Sequence, residues 1–459
     1  MRQAMILPQS GLLPVGQTVF GLPPLDIPAE RILFWSIVLV PLWWILGIQI
    51  VVFPLVGWYL FIRSLRRPYQ VPLLLGWNFW WLYIGAWSLS LLVNLVSGGA
   101  ELGRSITTLG SIFGVWALIV ILWSAMRRLG IRYQVVIRAV CVLGLCQLLA
   151  VVVGESYLKL TGSLLQTDSL LVTLFPALPR GFLKAQLYYL DQVGWDLDRV
   201  PRLISFYYWS PIAGTMSAFI CAAALSERNR LWQVLALLGG LTTAWYAAAR
   251  VGQVALVLGV IVAVLLMGGL GRKILLAGIL PVALGAPRII QALVSYFFEY
   301  RSDSGKLRNL LYERTYEAFL DSPLLGYGTH GRDEVLVLPL GSHSQIYSTL
   351  YQTGVLGTVI LVLAWVILSF TIGRLALQFP EVAPVFGAWV GLTIVMFSGE
   401  LEAASVTVFV LGAWLGCAWN RVDELRTQPV GQPRLEAPLP WEWVDRRRPI
   451  DIAGTKFNA

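Results

Sequence analysis

The sequence predicts an all-α integral membrane protein that crosses the bilayer about twelve times. Three observations predict it. Hydrophobic residues make up 57% of the 459-residue chain and charged residues only 13%, whereas about a quarter of a soluble domain is charged. The apolar residues run in blocks rather than along one helical face. Residues 32–62 carry no charge at all, more than one span needs. Arginine-rich loops, finally, alternate along the chain with loops poor in positive charge, as they do when positive charge marks the cytoplasmic side.

Residues 1–31 are broken by Pro and Gly. They show no apolar core followed by a small-residue cleavage site, so they read as a cytoplasmic segment and not a signal peptide. Spans are predicted near 32–47, 48–63, 71–96, 107–126, 133–154, 207–226, 231–248, 251–270, 273–292, 345–370, 382–398 and 403–420. Together they make one transmembrane domain over 32–420.

One set of loops holds Arg63, Arg66, Arg67, Arg127, Arg128, Arg132, Arg228, Arg230, Arg272, Lys273 and Arg374. The alternate set holds Glu101, Arg104, Arg250, Glu400 and Glu402. With both termini cytoplasmic, every loop of the first set falls inside. That bias accounts for the net charge of +9 without a nucleic-acid partner. Two long loops, about 155–206 and 293–343, then face outward, and 421–459 reads as a Pro-rich cytoplasmic tail. Cys141, Cys146, Cys221 and Cys417 all fall inside apolar spans and read as buried small side chains rather than a disulfide framework.

The second outer loop carries the chemistry-bearing residues. From Gly305 to Leu320 it reads as a helix with an apolar stripe of Leu307, Leu310, Leu311 and Phe319, ended by Asp321-Ser322-Pro323. Spacings of four and three put Arg308, Tyr312 and Thr315 on one face, with Arg314 on another. Gly326, Gly328 and Gly331 then make a turn, and Gly341-Ser342-His343 leads into a span. The chain has two histidines, His330 and His343, both in this loop. His330 sits in the Gly-rich turn, and His343 adjoins the span. Arg250 stands alone between two apolar runs, where an arginine is either functional or snorkels to the interface.

Acid pairs that could hold an ion are Asp196-Leu197-Asp198 in the first long loop and Glu400-Leu401-Glu402. Such triplets arise often by chance, and Glu400 could instead pair with an arginine, so no metal site and no cofactor are expected. The first long loop is rich in aromatics. Tyr207, Tyr208 and Trp209 read as interfacial residues, and Trp195 as a glycan contact.

The order of these residues resembles the O-antigen ligase and polymerase family. The resemblance rests on Arg250, on Arg308 with Tyr312, on Pro323-Leu324-Leu325-Gly326-Tyr327-Gly328, on His343-Ser344-Gln345-Ile346-Tyr347 and on Gly354-Val355-Leu356-Gly357. Ala249 stands where the family often has Ser, and the second outer loop is short for a ligase. The specific part spans 250–357, and the first 200 residues match in hydropathy alone.

The resemblance implies a helical membrane glycosyltransferase of the GT-C-like type in a bacterial inner membrane, with short helices in its large outer loop. Such an enzyme takes a glycan from a polyprenyl (undecaprenyl) diphosphate on the outer face and passes it to a hydroxyl of a glycan or lipid A core acceptor. It implies inversion at the anomeric centre and no metal requirement. Arg250 and Arg308 would clamp the diphosphate, helped by Arg301 and Arg314, because the guanidinium fork matches phosphate oxygens. His343 would take the acceptor proton. Tyr312, Ser342, Tyr347, Glu400 and His330 would contact the acceptor or support the site. The alternative is a transporter of lipid-linked glycan or of a small anion such as bicarbonate. It is disfavoured because the mid-span segments are largely Leu, Val and Ala.

Overall fold

The computed structural model describes residues 25, 27–67, 71–176, 183–190, 201–284, 302–333, 335–336 and 338–427. Arg301, Trp195, Asp196 and Asp198 lie outside them, as do most of the N-terminal segment, the tail beyond 427 and the end of the span expected at 273–292.

A helix stands at each predicted span position. The first is a pair, α1 (Pro28–Val38) and α2 (Val40–Leu46), bent by 62°. Pro41 opens the second piece with no backbone N–H to give. Then come α3 (Gln49–Leu65), α4 (Leu75–Val96), α5 (Leu102–Leu129) and α6 (Tyr133–Thr161). A π segment, Ile112–Trp116, interrupts α5. Among the described residues, five helices are long and apolar enough to cross a membrane: α4, α5, α6 and, further on, those at Arg250–Met267 and Gln345–Gln378. The protein is a mostly helical, multi-pass membrane protein.

The first long loop adds two short strand pairs to a fold that is otherwise helical, as the all-α expectation has it. Around α7 (Leu170–Leu174), β1 (Gln166–Asp168) pairs antiparallel with β2 (Lys184–Gln186), and β3 (Tyr188–Leu190) pairs with β4 (Pro201–Leu203). Three-residue strands are too short to show a period of two. In the aromatic run after them, Tyr207 departs from the interfacial expectation. Tyr207 is buried and its hydroxyl accepts from Gln147 Nε2 at 2.6 Å.

The second half holds α8 (Ser210–Ser226), α9 (Arg230–Ala247), α10 (Arg250–Met267), α11 (Gly269–Leu284), α12 (Ser302–Asp321), α13 (Gln345–Gln378), α14 (Ala383–Met396) and α15 (Ser405–Thr427). Small residues let their backbones touch, as membrane helices without a hydrophobic drive between them require. A Cβ on Gly214 of α8 would lie 2.9 Å from Gly252 Cα of α10, and one on Gly259 would lie 2.6 Å from Gly387 O of α14. Trp77, Trp80, Trp87 and Trp116 fill the core between α4 and α5. The four cysteines are free, three of them buried.

Two arginines in or near a predicted basic loop are held by buried acids. Arg138 grips Glu227 through two bonds of 2.7 Å, both side chains buried, and Arg132 holds the buried Glu30. Losing one partner of such a buried pair costs about 3–5 kcal/mol.

Helix α13 is not one rod. Gly354 breaks it with φ 61° and ψ −165°. Carbonyls freed by the break are taken up by the loop at 323–328. Tyr327 N–H donates to Tyr351 O at 2.9 Å and Gly328 N–H to Gln352 O at 2.8 Å, while Val355 N–H donates to Pro323 O at 2.8 Å. A Cβ at Gly354 would sit 2.4 Å from the Leu324 carbonyl carbon. From α4, Asn94 Nδ2 donates to Gly326 O and Trp87 Nε1 to Gly328 O. The loop glycines and the span glycine therefore form one joint, and the N-terminal piece of α13 carries His343 at its mouth.

Candidate functional site

Helix α12 fits the sequence reading closely. Its docking stripe is Leu311, Thr315 and Phe319, all buried. Leu310 is 41% exposed and is not part of it, because the helix docks through the Tyr312–Thr315 face.

That face holds the turn into α13. Thr315 Oγ1 accepts the Gly341 N–H at 2.9 Å, and the Tyr312 hydroxyl donates to His343 O at 2.9 Å. The Tyr312 and Tyr347 rings stack with centroids 4.3 Å apart and planes 2° from parallel. Burial pushes the Tyr312 hydroxyl pKa up, so it stays a donor, with Arg308 opposing. Ser342 is buried with its Oγ unpartnered.

His343 has φ +67°, one of three non-Gly residues with positive φ among those described; the others are Ser205 and Ala248. A residue held there costs about 1–3 kcal/mol and persists only where its surroundings fix it. Here they do, since its N–H donates to Glu400 Oε1 and its carbonyl accepts from Tyr312. Trp209 lies against the ring at 5.3 Å between centroids. Nδ1 is buried and meets no hydrogen-bond partner. Burial, and then the charge of Arg308, lower the imidazole pKa to about 4. The ring is thus neutral at neutral pH, beside a guanidinium, with hydrogen-bonding capacity to spare.

Arg250 begins α10 at the same end of the bundle. Two residues on, Gly252 touches Gly214, in the helix that Trp209 leads into. The corner before Arg250 is held by Arg202, which the sequence did not single out. This buried residue donates to Ala247 O at 3.1 Å and Ala248 O at 3.0 Å, closing the end of α9. Arg314 is not brought in. It is exposed and pairs with Glu317 at 3.0 Å, as its place on the far side of α12 dictates.

Glu400 does not take the arginine pairing that the sequence leaves open as one alternative for it. It turns to the His343 backbone and to His330. His330 Nε2 lies 3.8 Å from Glu400 Oε2 and 3.6 Å from Glu402 Oε2. Burial works to lower the His330 pKa, but its neighbours Glu402 and Glu400 outweigh it and raise it to about 9. Burial pushes the Glu400 carboxyl up to about 7, with His330 opposing. Glu402, Gln352 and Trp209 were not picked out as site residues. Only Glu402, through its spacing with Glu400, carried a signal that could have found it. A narrow, mostly apolar crevice runs past Trp209, Thr215, Val395 and Glu400, with room for about one water molecule.

The arrangement is therefore a site at one end of a helical membrane protein, where a neutral histidine stands near an arginine. Residues 213–362 match a family model described as O-antigen ligase. This stretch is similar to that family, and it takes in Arg250, Arg308, His343 and Gly354. The match indicates a membrane glycan transferase. A search of curated proteins finds no match.

Proposed function

We propose that this protein moves a glycan from a polyprenyl diphosphate to an acceptor hydroxyl at the outer membrane face, with His343 as the base. The observation that carries the reading is the His343 turn. A strained, neutral imidazole is fixed by α12 and Glu400 and stands beside Arg308.

The acceptor oxygen attacks the anomeric carbon and its proton passes to the His343 imidazole. The bond from that carbon to the diphosphate breaks, and the electron pair leaves on the diphosphate oxygen. Arg308 and Arg250 stabilise that charge, which grows in the transition state. Attack opposite the leaving group inverts the centre. The arginines supply the positive charge, so no ion is needed on the diphosphate. Both a second lipid-linked repeat unit and a lipid A core offer the required hydroxyl.

The test is transfer by purified protein from a lipid-diphosphate glycan, read as product by mass spectrometry, for wild type and His343→Ala. Product from wild type alone supports the reading. Equal product from both overturns the role of His343. No product from wild type with either acceptor class moves the reading to transport, which a liposome flux assay then measures.

A further inference from the structure

A second cluster lies behind the His343 turn. His330, Glu400 and Glu402 each offer a donor atom, and these atoms lie within 4.8 Å of one another. His330 Nδ1 is 3.1 Å from Leu340 O. A proton on Nδ1 donates to that carbonyl and leaves Nε2 as a lone pair facing the two carboxylates. A backbone carbonyl holding the far nitrogen is what orients a metal-binding histidine.

The distances discriminate between occupants. Separations of 3.6 and 3.8 Å from Nε2 to the carboxylate oxygens are too long for hydrogen bonds. Two ligand bonds of about 2.1 Å, opened to about 120°, span about 3.6 Å. Each acid also commits one oxygen elsewhere. Glu400 Oε1 takes the His343 N–H, and Glu402 Oε1 takes the Trp116 indole N–H. The other oxygen of each faces His330.

Two buried orphans mark the same centre. Glu402 Oε2 has no hydrogen-bond partner, although its side chain is only 10% exposed. Gln352 is 1% exposed, and its Oε1 has no partner either. Its Nε2 lies 3.1 Å from His330 Nε2. Turning the amide over is an equivalent assignment. It brings the orphaned oxygen toward the centre, and Ser348 Oγ, now 2.7 Å from Nε2, then donates to that oxygen.

We propose that His330, Glu400 and Glu402, with Gln352 as a fourth donor, bind a divalent first-row metal cation. One imidazole nitrogen among carboxylate and amide oxygens suits Zn²⁺ or Mn²⁺. The ion does not touch the glycan donor. It pins Glu400, and Glu400 pins the His343 N–H, so the ion holds the turn in which His343 is strained. The competing occupant of the centre is a proton on His330 Nε2.

The test uses full-length protein in detergent and no glycan, so its outcome is separate from that of the transferase reading. Protein stripped with chelator is titrated with ZnCl₂, followed by element analysis after desalting and by thermal unfolding. Wild type should retain one ion per chain, and its unfolding midpoint should rise with ion concentration. Glu402→Gln should bind more weakly by about tenfold or more. Equal retention by wild type and Glu402→Gln overturns the proposal, as does no retention by wild type, which leaves the proton as occupant. Should Glu402→Gln fail to fold, Co²⁺ added to stripped wild type decides. Visible d–d bands that Zn²⁺ displaces support the site, and their absence overturns it.

Discussion

The two histidines stand in one loop, and their surroundings drive them apart. His343 shows its ring to Trp209 and to the charge of Arg308, and the acid beside it is spent on its backbone N–H. His330 shows its ring to two carboxylates. One ring is held neutral, and the other favours a positive partner, whether proton or metal. On the proposed function the same side chain is a base in one place and an anchor in the other, and the groups around each ring decide which. Glu400 joins the two, with one oxygen on each.

That comparison can be broken most directly at His343. Replacing it with Ala should lower transfer by about 10²- to 10⁴-fold, the usual share of a general base. His330→Ala should cost transfer far less while lowering the unfolding midpoint. Equal losses in transfer would erase the distinction. Next in size is Arg308. Arg308→Ala should lower transfer by about 10²- to 10³-fold, and Lys should restore only part of it because the fork is lost. Arg314→Ala, on the far face, should leave the rate unchanged.

A smaller effect sharpens the comparison through pH. With its pKa lowered to about 4 by burial and Arg308, His343 stays neutral through the ordinary histidine range. Transfer should therefore hold as pH falls past 6.5 and decline only as it nears 4. Arg308→Ala, measured on its residual rate, should shift that decline upward in pH. The smallest expected change is Tyr312→Phe, which removes the hydrogen bond to His343 O. It should cost about 1 kcal/mol of stability, read by thermal unfolding, with a modest fall in rate.

Much of this was legible in the sequence, for local reasons. Arg308, Tyr312 and Thr315 share a face because of helical spacing, and that face does hold the His343 turn. The glycines of the 323–328 loop and Gly354 could be singled out, but their joint could not, since it forms between a loop and a break inside a span. Trp209 and Gln352 escaped because their contacts cross long stretches of chain. Trp209 meets His343 from far away along the chain, and an aromatic beside a span carries no mark of its partner. Glu402 was visible as an acid pair, yet only the fold brings His330 to it. Arg314 shows the converse error, since its charge suggested a helper and its helical phase excluded one.

The joint at Gly354 has a consequence for how such a sequence can drift. The cap that carries His343 is fastened to its span largely by backbone groups, donated and accepted between 323–328 and 351–356. Backbone atoms do not change when residues do. Leu324 and Ile346, both exposed around this cap, can be exchanged without loosening it, while Gly326, Gly328 and Gly354 cannot accept a side chain. Selection can therefore rewrite the outward surface of the cap to meet a new acceptor while the three glycines stay fixed beneath it.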